Sequence, residues 1–233
     1  ELSAPNTTIN VTGTGPVRLH SLDLSVGAIN TGTTPFSFNG VSSQSGGIFD
    51  CGNSTVSFNS TTFTLSGLDA SFNCTNGTID SNAFNLILNG GTFNAPSGMM
   101  TFGGSLSGAF VRNLGATFNH NNGTVVFAPS GTMNLGIGGT NGIQDFFNLT
   151  VNTGNSNVAF NESGDRVRAL GHMNLTSGGI QNATFEANAN VTVGTGFRDD
   201  GGNTGNLAFG GAGNQTYTNN GGGNPGGAWT VDK

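Results

Sequence analysis

Lysine is all but missing from this chain: Lys233 is the only one among six basic residues, which face twelve acidic ones. Charged residues of every kind reach only 8%, where a globular domain carries about 25%. The surface must therefore be solvated by neutral hydroxyls and amides. With a net charge of −6, and with Arg18, Arg112, Arg166, Arg168 and Arg198 forming no basic run beyond one alternating pair, nucleic acid is not expected as a partner, since its affinity rests on Lys and Arg neutralising phosphates. The same scarcity argues against an anionic membrane surface. No apolar run approaches the roughly 20 residues a spanning helix needs, so no membrane insertion is expected. Good helix formers are thin relative to Gly, Asn, Thr and Phe. No stretch holds apolar residues at i, i+3, i+4, i+7 for three turns, which leaves an all-β chain. No signal peptide is visible at Glu1; any export signal is expected to be cleaved or to lie outside this stretch.

What is abundant is glycine, with 41 residues, and phenylalanine, with 18. Disorder competes with a fold in so glycine-rich a chain, but disordered segments are poor in aromatics and rich in Pro, Glu and Lys. Here Phe recurs throughout and its recurrence is periodic. Phe49-Asp-Cys-Gly-Asn-Ser-Thr-Val56 matches Phe72-Asn-Cys-Thr-Asn-Gly-Thr-Ile79, and the series continues at Phe93, Phe118, Phe160, Phe185 and Phe209. The steps run from 21 to 25 residues, with one double step between Phe118 and Phe160, where the turn around 136–151 has lost or shifted the motif. A period of this kind is the signature of a solenoid.

The columns of the repeat have physical readings. The seven phenylalanines are expected to stack as an internal aromatic ladder. Five residues on come Ser54, Gly77, Gly98, Gly123, Asp165, Asn190 and Asn214, read as a repeated turn in left-handed backbone. Seven residues on, Val56, Ile79, Met100, Val125, Val167, Thr192 and Thr216 suit the next inward strand. About 23 residues at about 3.3 Å each trace roughly 75 Å, enough for three short strands per turn, with turns stacked about 4.8 Å apart. The expectation is one domain over 1–233, a parallel β-helix of about ten turns. The rival is an antiparallel sandwich, for which Asn76-Gly77, Asn89-Gly90, Asn122-Gly123 and Asn141-Gly142 are hairpin-type dipeptides; a sandwich has no need of the same residue classes every turn.

Cys51 and Cys74 share one column. Stacked turns would bring their Cα atoms within the disulfide window of about 4.4 to 6.8 Å, and a bridge implies an oxidising compartment; two buried thiols are the alternative. No His or third Cys completes a metal site, and no cofactor is expected. The nearest approach to chemistry is Asp165-Arg166-Val167-Arg168 with Glu162, followed by Arg198-Asp199-Asp200. The first reads as a solvated ion pair at a corner with Val167 inward, the second as a loop. His20, His120 and His172 stand alone, and His120 falls in the column of Cys74 and Ala95. No nucleophile elbow, Walker loop or His-Glu-x-x-His is present. The glycine-rich run 136–142 opens no helix and so offers an anion no dipole.

Asn-x-Ser/Thr sequons occur at Asn6, Asn10, Asn53, Asn59, Asn73, Asn122, Asn148, Asn174, Asn190 and Asn214, among others. They permit glycosylation of an exported surface, though an Asn/Thr-rich chain generates many by chance. Thr12-Gly-Thr14 and Thr62-Phe-Thr64 do not recur in register, as a regular ice-binding array would require.

The grammar Gly-x-Phe-Asn-x-x-x-Gly-Thr-Val-x-Phe, together with Phe147-Asn-Leu-Thr-Val151, resembles the repeats of very large secreted bacterial surface proteins. It is similar, more loosely, to filamentous-haemagglutinin and autotransporter-passenger solenoids. The resemblance spans about Ser45 to Lys233. It implies a right-handed β-helix acting as adhesin, stalk or surface layer, without catalytic residues. Both ends, Asn6–Thr12 and Ala228–Lys233, read as strands in mid-pattern with no capping helix. The expected role is therefore a structural extracellular protein whose partner is adjoining solenoid turns or another copy stacked end to end. A glycan-binding adhesin contacting a host surface and a polysaccharide-active enzyme are the alternatives.

Overall fold

Alternation along the chain decides the architecture. In Phe84–Leu88 the side chains of Phe84, Leu86 and Leu88 are buried while those between them are half-buried, the two-residue period of a strand with one face on a core. In the computed structural model, which describes residues 7–59, 61–81, 84–104, 109–138, 141–160, 164–198 and 204–233, all regular structure is β-strand. The strands pair in parallel from one turn to the next, giving a β-solenoid of about nine turns of about 23 residues, close to the ten expected. Parallel pairing through the Asn-Gly corners removes the sandwich, since hairpins would pair antiparallel.

One face is a six-stranded sheet running from Thr8–Asn10 to Thr117–Asn119. Phe49, Phe72, Phe93 and Phe118 lie in register on it. Their rings stack at 4.9, 4.8 and 5.7 Å with planes within 6° of parallel. Each buried Phe contributes about 1.5–3 kcal/mol of transfer free energy. On the outside of the same strands Asn119 donates to Asn94 (2.6 Å) and Asn94 to Asn73 (2.5 Å). The next face carries Val56, Ile79, Met100 and Val125 in register. Cys51 and Cys74 are joined, with Cα atoms 5.1 Å apart and both side chains fully buried; such a bridge is characteristic of oxidising compartments.

Three expectations need correction. Phe160, Phe185 and Phe209 do not extend the ladder. Phe160 pairs with Leu135 on another face. Phe185 stands between Val167 and Leu207, and Phe209, one inward position further along, between Ala187 and Val231. The cause is a change of sheet: the first one ends at Thr117–Asn119, and a five-stranded sheet begins at Ile143–Phe146. There Phe146 meets Phe118 edge-on, at 5.5 Å and 79°. The strand Asn148–Phe160 then runs through a corner, pairing with Val125 at one end and Met133 at the other. The period in the sequence records turn length, which persists, and not which face holds the aromatic. By the same shift the second column continues through Leu149, Met173 and Val191. Val167 belongs to the five-stranded sheet, Thr192 is an outward neighbour of Asn174, and Thr216 precedes the strand Tyr217–Asn219.

The turn column is also different in kind. Ser54, Gly77, Gly98, Gly123, Asp165, Asn190 and Asn214 are not in left-handed backbone; that conformation falls at Gly52, Asn121, Asn122, Gly164 and Asn182, among others. Glycine at 77 and 123 answers close approach instead. A Cβ on Gly77 would lie 2.4 Å from Cys51 Sγ, and one on Gly123 2.2 Å from the Pro96 carbonyl oxygen.

At the far end of the rod, Trp229 and Val231 continue the inward positions of Leu207 and Phe209. They remain 44% and 73% exposed.

Candidate functional site

The five-stranded sheet comprises Ile143–Phe146, Arg166–Ala169, Thr184–Ala187, Asn206–Phe209 and Trp229–Val231. Its inward side chains include Phe146, Val167, Ala169, Phe185 and Leu207, all fully buried. Alternation sends the intervening residues outward, and parallel pairing aligns them along the axis. One outward column reads Asp145, Arg168, Glu186, Ala208, Thr230; beside it run Ile143, Arg166, Thr184, Asn206. Three of the chain's six basic residues gather here, because Arg112 joins from the neighbouring face.

The charges pair between turns. Arg168 grips Asp145 of the preceding turn with two bonds of 2.8 Å, Nε to Oδ1 and Nη2 to Oδ2. Arg166 reaches Glu186 of the following turn at 2.5 Å. Hydrogen bonding to Asp145 holds the Arg168 guanidinium above its ordinary value, against partial burial. Burial pulls the Arg112 guanidinium down, opposed by the attraction of Asp145 and Asp165. Arg112 donates to Gln144 Oε1 (2.7 Å) and the Ile143 carbonyl (2.9 Å), tying the first strand of the sheet to the next face.

Asp165 faces the other way. It is 1% exposed, and its two oxygens accept from the backbone N–H groups of Ile137 (3.2 Å) and Gly142 (3.0 Å). Both bonds close the corner that leads into the sheet, so this carboxylate is a clamp. Glu162, Asp199 and Asp200 lie outside the described residues. Arg198 donates to Asn157 Oδ1 at 2.6 Å. The histidines are not brought together: His20 is exposed, the His120 ring stacks on Phe147 at 5.9 Å, and His172 Nε2 bonds Asn174 and Thr192. Among the described residues no three His, Cys, Asp or Glu side chains converge as a metal site would need.

The sequons divide by environment. Asn10, Asn53, Asn122, Asn190 and Asn214 are exposed, whereas Asn59, Asn73, Asn148 and Asn174 are half-buried; Asn6 lies outside the described residues. The Asn59 amide nitrogen already donates to Asn39 at 3.0 Å.

Above the last turns of the sheet lies an open groove of about 540 Å³. Arg166, Arg168 and Glu186 stand as its wall, and Asn206 and Asp232 line its length. Asp145, Glu186 and Arg112 escaped the sequence reading because their partners are 23, 20 and 32 residues away. Alignment of turns across the shifted coil, with Asp145 set over Arg168, is the signal that could have revealed the first pair.

Searches against known protein families, curated proteins and solved structures find no match to this chain.

Proposed function

We propose that this chain is a structural element of an extracellular or cell-surface assembly, a stiff rod that extends along its axis through its ends. The observation that carries the reading is the build itself, parallel strands stacked turn on turn around one continuous buried core. Inward positions within the rod, such as Phe72, Leu86 and Val167, are sealed by the turn above and the turn below. A further turn in the same register lengthens such a rod, and β-augmentation supplies one. Either adjoining turns of the same polypeptide or a second copy stacked head to tail provides it. A neutral, hydroxyl-rich surface and a disulfide suit an exported rod, and the exposed Asn10, Asn53, Asn122, Asn190 and Asn214 are where it would carry glycans. No catalysis is part of the proposal; engagement of both Asp165 oxygens by backbone supports that side of it.

The test is sedimentation and electron microscopy of the natural full-length polypeptide over a range of concentration, beside a Trp229→Glu variant. Rods longer than one solenoid that shorten in the variant are expected, because a charge on the open column must be desolvated when a turn covers it. Single short rods at every concentration, identical in both proteins, would overturn the reading.

A further inference from the structure

We infer that the groove over the five-stranded sheet binds a linear, neutral oligosaccharide lying along the solenoid axis. Its volume of about 540 Å³ falls within the range of about 300–1,000 Å³ typical of ligand sites. Its lining comes from four successive turns: Arg166 and Arg168, then Glu186, then Asn206, then Thr230. At about 4.8 Å per turn the strip is about 14 Å long, so it suits an extended chain and not a compact ligand.

The floor and the rim differ in chemistry. Ala208, Gly210, Gly211 and Ala228 make a low, mostly apolar floor, a step down from the arginines. A Cβ on Gly210 would lie 2.7 Å from Glu186 Oε1, so a side chain there would displace the carboxylate of the wall. The rim supplies guanidinium donors, carboxylate acceptors, the Asn206 amide and threonine hydroxyls. A sugar ring has an apolar C–H face and an edge of hydroxyls that both donate and accept, matching floor and rim together.

Charge selects the class. Arg166 and Arg168 are balanced by Glu186 and Asp232 in the lining, and the chain carries −6 overall, so a polyanion gains no net attraction here. The wall is also held in advance: the Glu186 side chain is 9% exposed and paired to Arg166. Such preorganisation reduces the ordering lost on binding. The site lies on the outward face of the sheet and shares only the strand Trp229–Val231 with the end of the rod.

The experiment titrates the intact protein with hexasaccharides of β-1,4-linked glucose, β-1,4-linked N-acetylglucosamine and galacturonate, read by calorimetry and by amide chemical shifts. One neutral hexasaccharide is expected to bind and to move the resonances of Thr184, Asn206 and Thr230, with galacturonate about tenfold or more weaker. Thr230→Arg fills the end of the floor from an exposed position and should weaken binding about tenfold. The wild-type shift map stands without the variant. Absence of shifts at those three residues with either neutral sugar at about 10 mM, a concentration that reveals even millimolar binding, overturns the inference. So does tighter binding of galacturonate, or unchanged affinity in a folded Thr230→Arg protein.

Discussion

Replacing both cysteines with alanine isolates the contribution of the one covalent cross-link. The bridge joins residues 23 apart; in the chain-entropy relation a closed loop of that size removes about 11 cal/mol/K from the unfolded ensemble, or about 3.4 kcal/mol at 25 °C. With a urea m-value of about 2 kcal/mol/M, the midpoint should fall by about 1.7 M. A solenoid is bound turn to turn, so the loss should concentrate locally. Hydrogen exchange should accelerate most at the amides of Phe72 and Cys74, between the bridged turns, and least at Leu207 in the late sheet. The measurement compares oxidised wild type with C51A/C74A by urea titration and native-state exchange. Chymotryptic mapping without reductant verifies the bridge, since trypsin has few sites in a chain with six basic residues. A midpoint change worth less than about 1 kcal/mol, or exchange that accelerates evenly along the rod, refutes the argument that stacked turns share their stability with near neighbours.

Three further substitutions separate the forces. Asp165→Asn swaps one acceptor for an N–H donor facing a backbone N–H; loss of a charge-assisted bond with a buried group left unpaired should lower stability by about 2–3 kcal/mol in a urea titration. Gly77→Ala places a methyl against Cys51 Sγ and, at 2.5 Å, the Ser54 carbonyl oxygen; overpacking of this kind should cost about 1–3 kcal/mol, seen as a lower midpoint, whereas Gly98→Ala, with open space around its Cβ, should change it by less than about 1 kcal/mol. Asp145→Asn removes a charge from a pair whose side chains are 30% and 37% exposed; screening keeps the expected loss below about 1 kcal/mol, diminishing further in salt.

The legible and illegible parts of this fold have different physical origins. A turn of near-constant length leaves a period whatever it contains, so the parallel stacking and the juxtaposition of Cys51 with Cys74 could be read from spacing. The first four ladder rings could be read because those turns keep one residue class at one position. The handover at Phe146 could not. An aromatic that meets Phe118 edge-on fills the same core from a different strand, and a one-dimensional period is blind to which face a side chain leaves. Likewise, glycine at 77 and 123 has the sequence appearance of a turn former, yet what excludes a side chain there is the neighbouring turn, about 23 residues away in sequence.

Composition and site follow from one constraint. In a parallel solenoid equivalent positions stack about 4.8 Å apart, so a charged residue repeated in one outward column would meet its own sign at every turn. Each such contact costs about 1 kcal/mol even in bulk water and more near a protein surface. Two solutions are open. Neutral amides can donate to the preceding turn and accept from the following one, as Asn94 does between Asn73 and Asn119. Charges can otherwise alternate, as Asp145, Arg168 and Glu186 do along one column. The first solution dominates the chain and accounts for its 8% of charged residues. Alternation needs a compositional break from the repeat, because neighbouring turns must carry opposite residues at one position. The densest set of ion pairs described here therefore lies where the repeat is broken, beyond the change of sheet. A search for sites in such rods should begin at breaks in the period.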